Sequence, residues 1–157
     1  MMVVCLRYAK TNADAQDVLH DSFIKAFGNL GKYNFQGSFE GWLRRLVVNA
    51  SIDKLRRAKN DFRVLQSEND LEQFTDIPED EEEKADNPLL DLKPNQIMEA
   101  MHKLSPAYRT IFNLYVFEEH THQDIADKLG ISVGTSKSNL AKARANLKVI
   151  LLRELMK

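Results

Sequence analysis

The sequence predicts an all-α protein in which two small helical domains are joined by an acidic, flexible linker. Apolar residues recur at helical spacing in residues 1–65 and 97–157, and several helix starts carry serine caps. Between them, residues 66–96 show no sustained period and carry 11 acidic residues against 2 basic ones. Such a strip repels itself and cannot bury a core, so the two domains are expected to stand apart.

The charge balance of the two domains favours a polyanionic partner. Residues 1–65 carry 11 Lys and Arg against 6 Asp and Glu, and residues 97–157 carry 9 against 6. Basic blocks of this kind favour phosphate backbones. No apolar run approaches the roughly 18 residues of a membrane span, so no membrane insertion is expected. Cys5 is the only cysteine and no signal peptide is recognisable, so a cytoplasmic protein is predicted.

The first domain begins inside a helical pattern. Met2, Val3 and Leu6 are expected on the inner face of a first helix, with no capping residue ahead of them. A second helix is predicted from about Ala13 to Leu30. Its inner stripe is expected to consist of Ala15, Val18, Leu19, Phe23, Ala26, Phe27 and Leu30.

An aromatic loop and a third helix follow. Aromatic faces stack on unpaired bases at about 1–3 kcal/mol each, and neighbouring cations hold the backbone. Phe39 and Trp42 are expected to be mostly core, which leaves Tyr33 and Phe35 as candidates for base contact. Ser38 is expected to cap the third helix, which begins at Phe39.

The second domain contains a helix, a tight turn and another helix over residues 122–144. Gly130 ends the first of these helices, because glycine adopts the left-handed conformation at little cost, and Ser132 caps the second. At 100° per residue, the outer face of the second helix is small, polar and basic, which suits a major groove. A plain helical hairpin also fits this spacing. The predicted outer face consists of Gly134, Thr135, Ser138, Asn139, Ala141 and Lys142.

Other side-chain patterns give no support for an enzyme. Ser105 and Pro106 predict a helix start, with a cap followed by proline at the first helical position. His120 and His122 lack a third ligand at helical spacing, so neither a metal site nor another cofactor is predicted. No nucleophile–base pair or phosphate-binding loop is visible.

Three motifs give the chain a resemblance to extracytoplasmic-function sigma factors. LSPAYRTIFNL at 104–114, with DIA at 124–126 and GISVGTSKS at 130–138, resembles region 4 of that family. DAQDVLHDSFIKAF at 14–27 resembles region 2.2, and SFEGWLRRLVVNASIDKLRR at 38–57 resembles regions 2.3 and 2.4. The last motif is the most specific, and the resemblance as a whole extends over nearly all of both domains.

The resemblance implies roles for particular residues. In the family, region 2.2 docks on the clamp of core RNA polymerase, which places Asp17, His20 and Asp21 at that contact. From the residues alone, a solvated helix face explains the same three side chains. Regions 2.3 and 2.4 recognise and melt the −10 promoter element, and the candidates for that contact are Tyr33, Phe35, Ser38, Arg45 and Asn49. Region 4 reads the −35 element, and its candidates are Thr135, Lys137, Ser138, Asn139 and Lys142.

Two positions of the second domain depart from the family pattern. Ser136 stands where an apolar residue, usually valine, packs between the helices. Asn139 stands where an arginine is common, and Asn139→Arg is expected to change the DNA preference at the −35 element.

The resemblance implies an alternative sigma factor that directs RNA polymerase to specific promoters and starts transcription. Its partners would be core RNA polymerase, promoter DNA and an anti-sigma factor, with no small-molecule substrate and no covalent chemistry of its own. Two alternatives remain open. A helix-turn-helix regulator that acts without polymerase would explain residues 97–157 but not the motif at 38–57. A sigma-like decoy that binds an anti-sigma protein would explain both motifs without DNA.

The family normally carries a further helix before the position of Met1. The resemblance therefore leads us to expect that an upstream segment is missing, through truncation or a misassigned start codon. Such a loss should leave apolar surface exposed on residues 15–30 and 39–50.

Overall fold

The protein is described by a computed structural model over residues 1–58, 63 and 93–157. Within these ranges all regular structure is helical, which confirms the all-α fold class. The chain forms two compact units, Met1–Phe62 and Arg63–Lys157. The helices of the first unit are α1 (Met2–Tyr8), α2 (Asn12–Asn29), a short 3-10 helix (Leu30–Lys32) and α3 (Phe39–Arg57). Those of the second unit are α4 (Pro94–Lys103), α5 (Pro106–Val116), α6 (His122–Leu129) and α7 (Val133–Leu155).

The predicted linker, residues 66–96, lies outside the described residues except for its last four positions. Pro94 opens α4 there, at the helix position where its missing N–H is not needed. Regular structure therefore begins inside the range that was expected to be linker.

Three helices pack against one another in the first unit. α2 begins at a cap in which Thr11 Oγ1 accepts a hydrogen bond from the Asp14 backbone N–H at 3.1 Å. The predicted cap of α3 is confirmed, because Ser38 Oγ accepts from the Gly41 N–H at 3.0 Å. Lys54 Nζ lies 2.7 Å from Asp14 Oδ1 and joins the end of α3 to the start of α2. Hydrogen bonds from Lys54 and then Thr11 lower the pKa of Asp14.

The inner face of α1 is offset from the predicted one, and none of Met2, Val3 and Leu6 is buried. Val4, Cys5 and Tyr8 are buried, whereas Val3 is 65% exposed. These buried positions have the predicted helical spacing, but their phase is set by packing against both α2 and α3. The sequence therefore predicts the helical spacing of the buried residues, whereas contacts with α2 and α3 determine which side of α1 is buried.

The inner stripe of α2 is narrower than predicted. Small residues let α2 lie close to α1 and α3, so the large side chains on the flank turn outward. Phe23, Phe27 and Leu30 are exposed, which corrects their assignment to the core. The apolar surface expected on this helix is present. The buried residues of α2 are Ala15, Val18, Ser22 and Ala26.

The second unit is built around α7, which packs against α4, α5 and α6. The predicted turn is confirmed, because Gly130 has φ 66° and Ser132 Oγ accepts from the Thr135 N–H at 3.0 Å. Thr121 and Asp124 form a capping box at the start of α6. Gly130 and Ser132 thus form the turn between α6 and α7, and the capping box sets where α6 begins. The largest fully buried apolar side chains here are Met101, Ile111, Leu114, Ile125 and Leu129.

Candidate nucleic-acid interface

A cluster of aromatic rings forms the loop between α2 and α3, with Tyr33 at its centre. The Tyr33 ring centroid lies 4.9 Å from that of Phe35 and 5.5 Å from those of Phe39 and Trp42. The Tyr33 hydroxyl donates to the Gly37 carbonyl at 2.9 Å. Tyr33 is half-buried, so it supports the other rings from beneath.

Phe35 projects from this loop into solvent. Its side chain is 84% exposed, and its backbone has the left-handed φ of 59°. Such a conformation costs a non-glycine residue about 1–3 kcal/mol and persists where the surrounding contacts impose it. Here the Asn34 side chain accepts from the Gln36 N–H at 3.2 Å, and Gly37 has φ 89°. The loop is thus shaped so that it presents an aromatic face to solvent.

The exposed face of α3 continues from the aromatic cluster. Trp42, Arg45 and Asn49 are spaced at i, i+3 and i+7, so they share one side of the helix. Arg45 and Asn49 are exposed, and Trp42 is half-buried. Phe39 is 46% exposed, so the expectation that it is mostly core is wrong. The Ser38 hydroxyl is occupied as the cap of α3.

The outer face of α7 carries most of the predicted −35 candidates. Lys137 and Ser138 are exposed, while Thr135 and Lys142 are partly buried. The Ser138 hydroxyl donates to the Thr135 carbonyl at 3.1 Å, which leaves its lone pairs facing outward. Four of the five predicted side chains are therefore accessible to a ligand.

Asn139 is the exception. It is 1% exposed, so its assignment to the outer face is wrong. The reason is that α7 packs against both α5 and α6, which buries a wider arc of the helix than one neighbour would. Asn139 falls inside that arc, beside the buried residues Ser136, Leu140 and Ala143.

A polar contact joins α6 to α7 at the position where an apolar residue was expected. Ser136 is fully buried, and its Oγ lies 3.0 Å from His122 Nδ1. The His122 ring stacks on Tyr115 at 4.7 Å between centroids, and the Arg144 guanidinium lies 5.5 Å from the Tyr115 centroid. Burial, followed by the charges of Lys137 and Arg144, lowers the pKa of His122.

The sequence alone points to His122 only as a possible metal ligand. The signal that could have identified this contact was Ser136, because a buried hydroxyl between helices needs a hydrogen-bond partner. Among the described residues, no group of three His, Cys, Asp or Glu side chains is placed to hold a metal ion.

The candidate polymerase residues lie together on α2. Asp17, His20 and Asp21 are exposed and line a cleft of about 620 Å³ between α2 and α3. Its opposite wall includes Asp53, whose Oδ2 forms an ion pair with Lys25 Nζ at 3.4 Å. Acidic and basic side chains both line the cleft, so it offers ion-pair partners of both signs to a protein surface.

Comparison with known proteins identifies both units. The family model "Sigma-70 region 2" matches residues 2–60, and "Sigma-70, region 4" matches residues 95–147. The chain is 31% identical to RNA polymerase sigma factor NccH of Alcaligenes xylosoxydans over 88% of its own length and 74% of that protein. The chain belongs to the extracytoplasmic-function sigma factors.

Other sigma factors support this assignment. The ECF sigma factor SigW of Bacillus subtilis is 27% identical over 92% of the chain and 79% of that protein. The ECF sigma factor SigM of Mycobacterium tuberculosis is 30% identical over 88% of the chain and 65% of its own length. The fold resembles the sigma factor RpoE of Bartonella quintana, solved with the anti-sigma factor NepR. That match has a TM-score of 0.57 at 18% identity and extends over 96% of this chain and 88% of RpoE.

The family assignment confirms the predicted function at the level of the family, which is transcription initiation by RNA polymerase sigma factors. None of the helices in the described ranges is long and apolar enough to cross a membrane.

Proposed function

We propose that this sigma factor binds core RNA polymerase, reads the −35 element with its second unit, and captures unpaired bases of the −10 element with its first. The observation that carries this proposal is that each unit matches its own family region and presents exposed side chains suited to nucleic acid. The chain performs no covalent chemistry, which belongs to the polymerase, and it acts in the cytoplasm, where the polymerase and the chromosome lie. The proposed division is 1–65, 66–96 and 97–157, with the acidic strip as the linker.

The −10 surface comprises the aromatic loop and the exposed face of α3. Phe35 supplies a free ring for stacking, and Tyr33 holds that ring in place from beneath. Arg45 and Asn49 extend the surface along α3 with a cation for the backbone and an amide for a base edge. Ser38 holds the start of α3 at the edge of this surface.

Asn49→Ala tests the role of the amide. We expect the variant to bind core polymerase as the wild type does, because Asn49 is exposed on the side of α3 that carries Arg45. Open complex should fall, since an amide that holds an unpaired base is lost. Permanganate reactivity of −10 thymines and polymerase pull-down give the two readouts. Loss of polymerase binding would mean that Asn49 is structural.

The −35 surface is the outer face of α7, with Thr135, Ser138 and Lys142 towards base edges and Lys137 on its flank. Hydroxyl groups and ammonium groups can read base edges in a major groove, and a flanking lysine suits a phosphate. Asn139 is buried beneath this face, so it is not among the residues that contact DNA.

Lys137→Ala tests the phosphate contact. Binding should weaken to a similar degree on every promoter, and the slope of log affinity against log salt should fall by about one unit. Titrations at several salt concentrations measure both effects. Lys148→Ala is the matched control, because Lys148 is also exposed on α7 but lies three turns beyond Lys137. A salt slope that is unchanged by Lys137→Ala would remove this residue from the interface.

The polymerase contact is assigned to the cleft wall of Asp17, His20 and Asp21, and an anti-sigma factor is a further expected partner. The similar RpoE structure holds such a partner, NepR. Mixing the chain with sigma-free core polymerase tests the proposal as a whole. A stable holoenzyme that retains promoter DNA is expected. Tight binding to an anti-sigma protein without retention of DNA would instead indicate a decoy.

A further inference from the structure

The contact between His122 and Ser136 lies where the recognition helix begins. His122 is the first residue of α6, and Ser136 lies in the first turns of α7, on the side opposite the exposed Lys137 and Ser138. The 3.0 Å separation of His122 Nδ1 and Ser136 Oγ is one hydrogen bond across the two helices. Stacking on Tyr115 fixes the plane of the imidazole, so the bond has little freedom to rotate.

We propose that His122 is a positioning residue for −35 recognition, which holds the start of α7 through Ser136 and takes up a proton when α7 binds DNA. This inference rests on the proposed function of the outer face of α7. On the buried side of the same helix, protonation of His122 would then control how tightly the outer face binds DNA.

The hydrogen bond survives a change in the protonation state of His122. A neutral imidazole with its proton on Nε2 accepts at Nδ1 from the Ser136 hydroxyl, and an imidazolium donates at Nδ1 to the Ser136 oxygen. The position of α7 is therefore held in both states, and protonation changes charge instead of geometry.

The charges around His122 determine when it takes up the proton. In the free protein, burial and the cations Lys137 and Arg144 keep its pKa below the usual value of 6.5, so the neutral form dominates at neutral pH. Phosphates that approach Lys137 offset its charge, which makes the protonated form easier to reach. Linkage then requires that affinity for DNA rises as the pH falls. The titratable and charged groups near His122 are Tyr115 on α5, His120 before α6, Asp124 on α6, and Lys137 and Arg144 on α7.

The experiment measures binding of the full chain to a duplex that the holoenzyme has selected from genomic fragments. As the pH is lowered from about 7.5 to 5.5, the affinity of the wild type for DNA should rise. The total rise should be about tenfold for each pH unit by which bound DNA raises the pKa of His122. His122→Asn keeps a hydrogen-bonding group near the Nδ1 position but cannot titrate. It should match the wild type at the upper pH and lose the pH dependence. Ser136→Ala removes the bond and should weaken binding about fivefold at the upper pH.

His120→Asn is the matched control, because His120 lies two residues away and bonds the Glu118 carbonyl instead of α7. This variant should keep the wild-type pH profile. Far-UV circular dichroism at each pH verifies folding, since the lowered pKa of His122 makes protonation unfavourable in the folded unit and its stability falls in acid.

Three results would contradict the inference: an unchanged pH profile in His122→Asn, an equal loss of the profile in His120→Asn, or full affinity in Ser136→Ala. If the holoenzyme selects no fragment, the proposed function fails together with the inference. If it selects fragments that bind without pH dependence, only the inference fails.

Discussion

Phe35→Ala should reduce open-complex formation on duplex promoters by about 5- to 150-fold, the loss expected when one stacked base loses its aromatic partner. The Phe35 ring is 84% exposed, so its removal opens no cavity in the unit and should leave polymerase binding unchanged. Alanine also disfavours the left-handed φ of 59°, so the change removes the ring without relaxing the backbone as glycine would. Permanganate footprinting of the −10 element measures the effect.

Phe35→Tyr is the control for this prediction, because it keeps an aromatic face at the same position. It should retain most of the open complex. A template with a premelted −10 bubble should partly restore the output of Phe35→Ala, since the cost of unpairing has already been met. If the alanine and tyrosine variants lose open complex equally, or neither loses any, stacking by Phe35 is excluded.

Asn139→Ala should destabilise the second unit by about 1–3 kcal/mol, the usual cost of removing a buried polar partner. The side chain is 1% exposed, and the residue is among those that interact with a partner in the protein. Chemical denaturation followed by circular dichroism measures the change. Promoter preference, measured at a temperature where the variant is folded, should stay the same.

Ser138→Ala is the control for Asn139→Ala, because it changes the adjacent residue on the exposed face of α7. Ser138 is exposed, so this change should alter stability by no more than about 0.5 kcal/mol while it changes binding to the −35 element. If Asn139→Ala instead changed promoter preference and Ser138→Ala changed stability, Asn139 would face the DNA and Ser138 would face the core.

Features that depend on neighbouring residues in the chain could be predicted from the sequence. Ser38, Ser105 and Ser132 cap helices as expected, because a cap needs only a side-chain oxygen and nearby backbone N–H groups. Gly130 has the predicted left-handed conformation for the same local reason. The fold class followed from these signals and from the helical periodicity.

Features that depend on packing could not be predicted. Phe27 is 76% exposed because smaller residues of α2 make the close helix contacts, and no local signal chooses between the two sides of a wide apolar stripe. Helical spacing likewise predicts Asn139 on the outer face, because spacing alone does not reveal that α7 packs against more than one helix. His122 and Ser136 are far apart in sequence, so their contact required the turn between α6 and α7.

The most direct test of the central claim is transcription reconstituted from this chain, sigma-free core polymerase and a library of genomic promoter fragments. The account predicts transcripts that start at a limited set of fragments sharing a −35 and a −10 element, and only when the chain is present. Core polymerase that gives the same transcripts with and without the chain would contradict it.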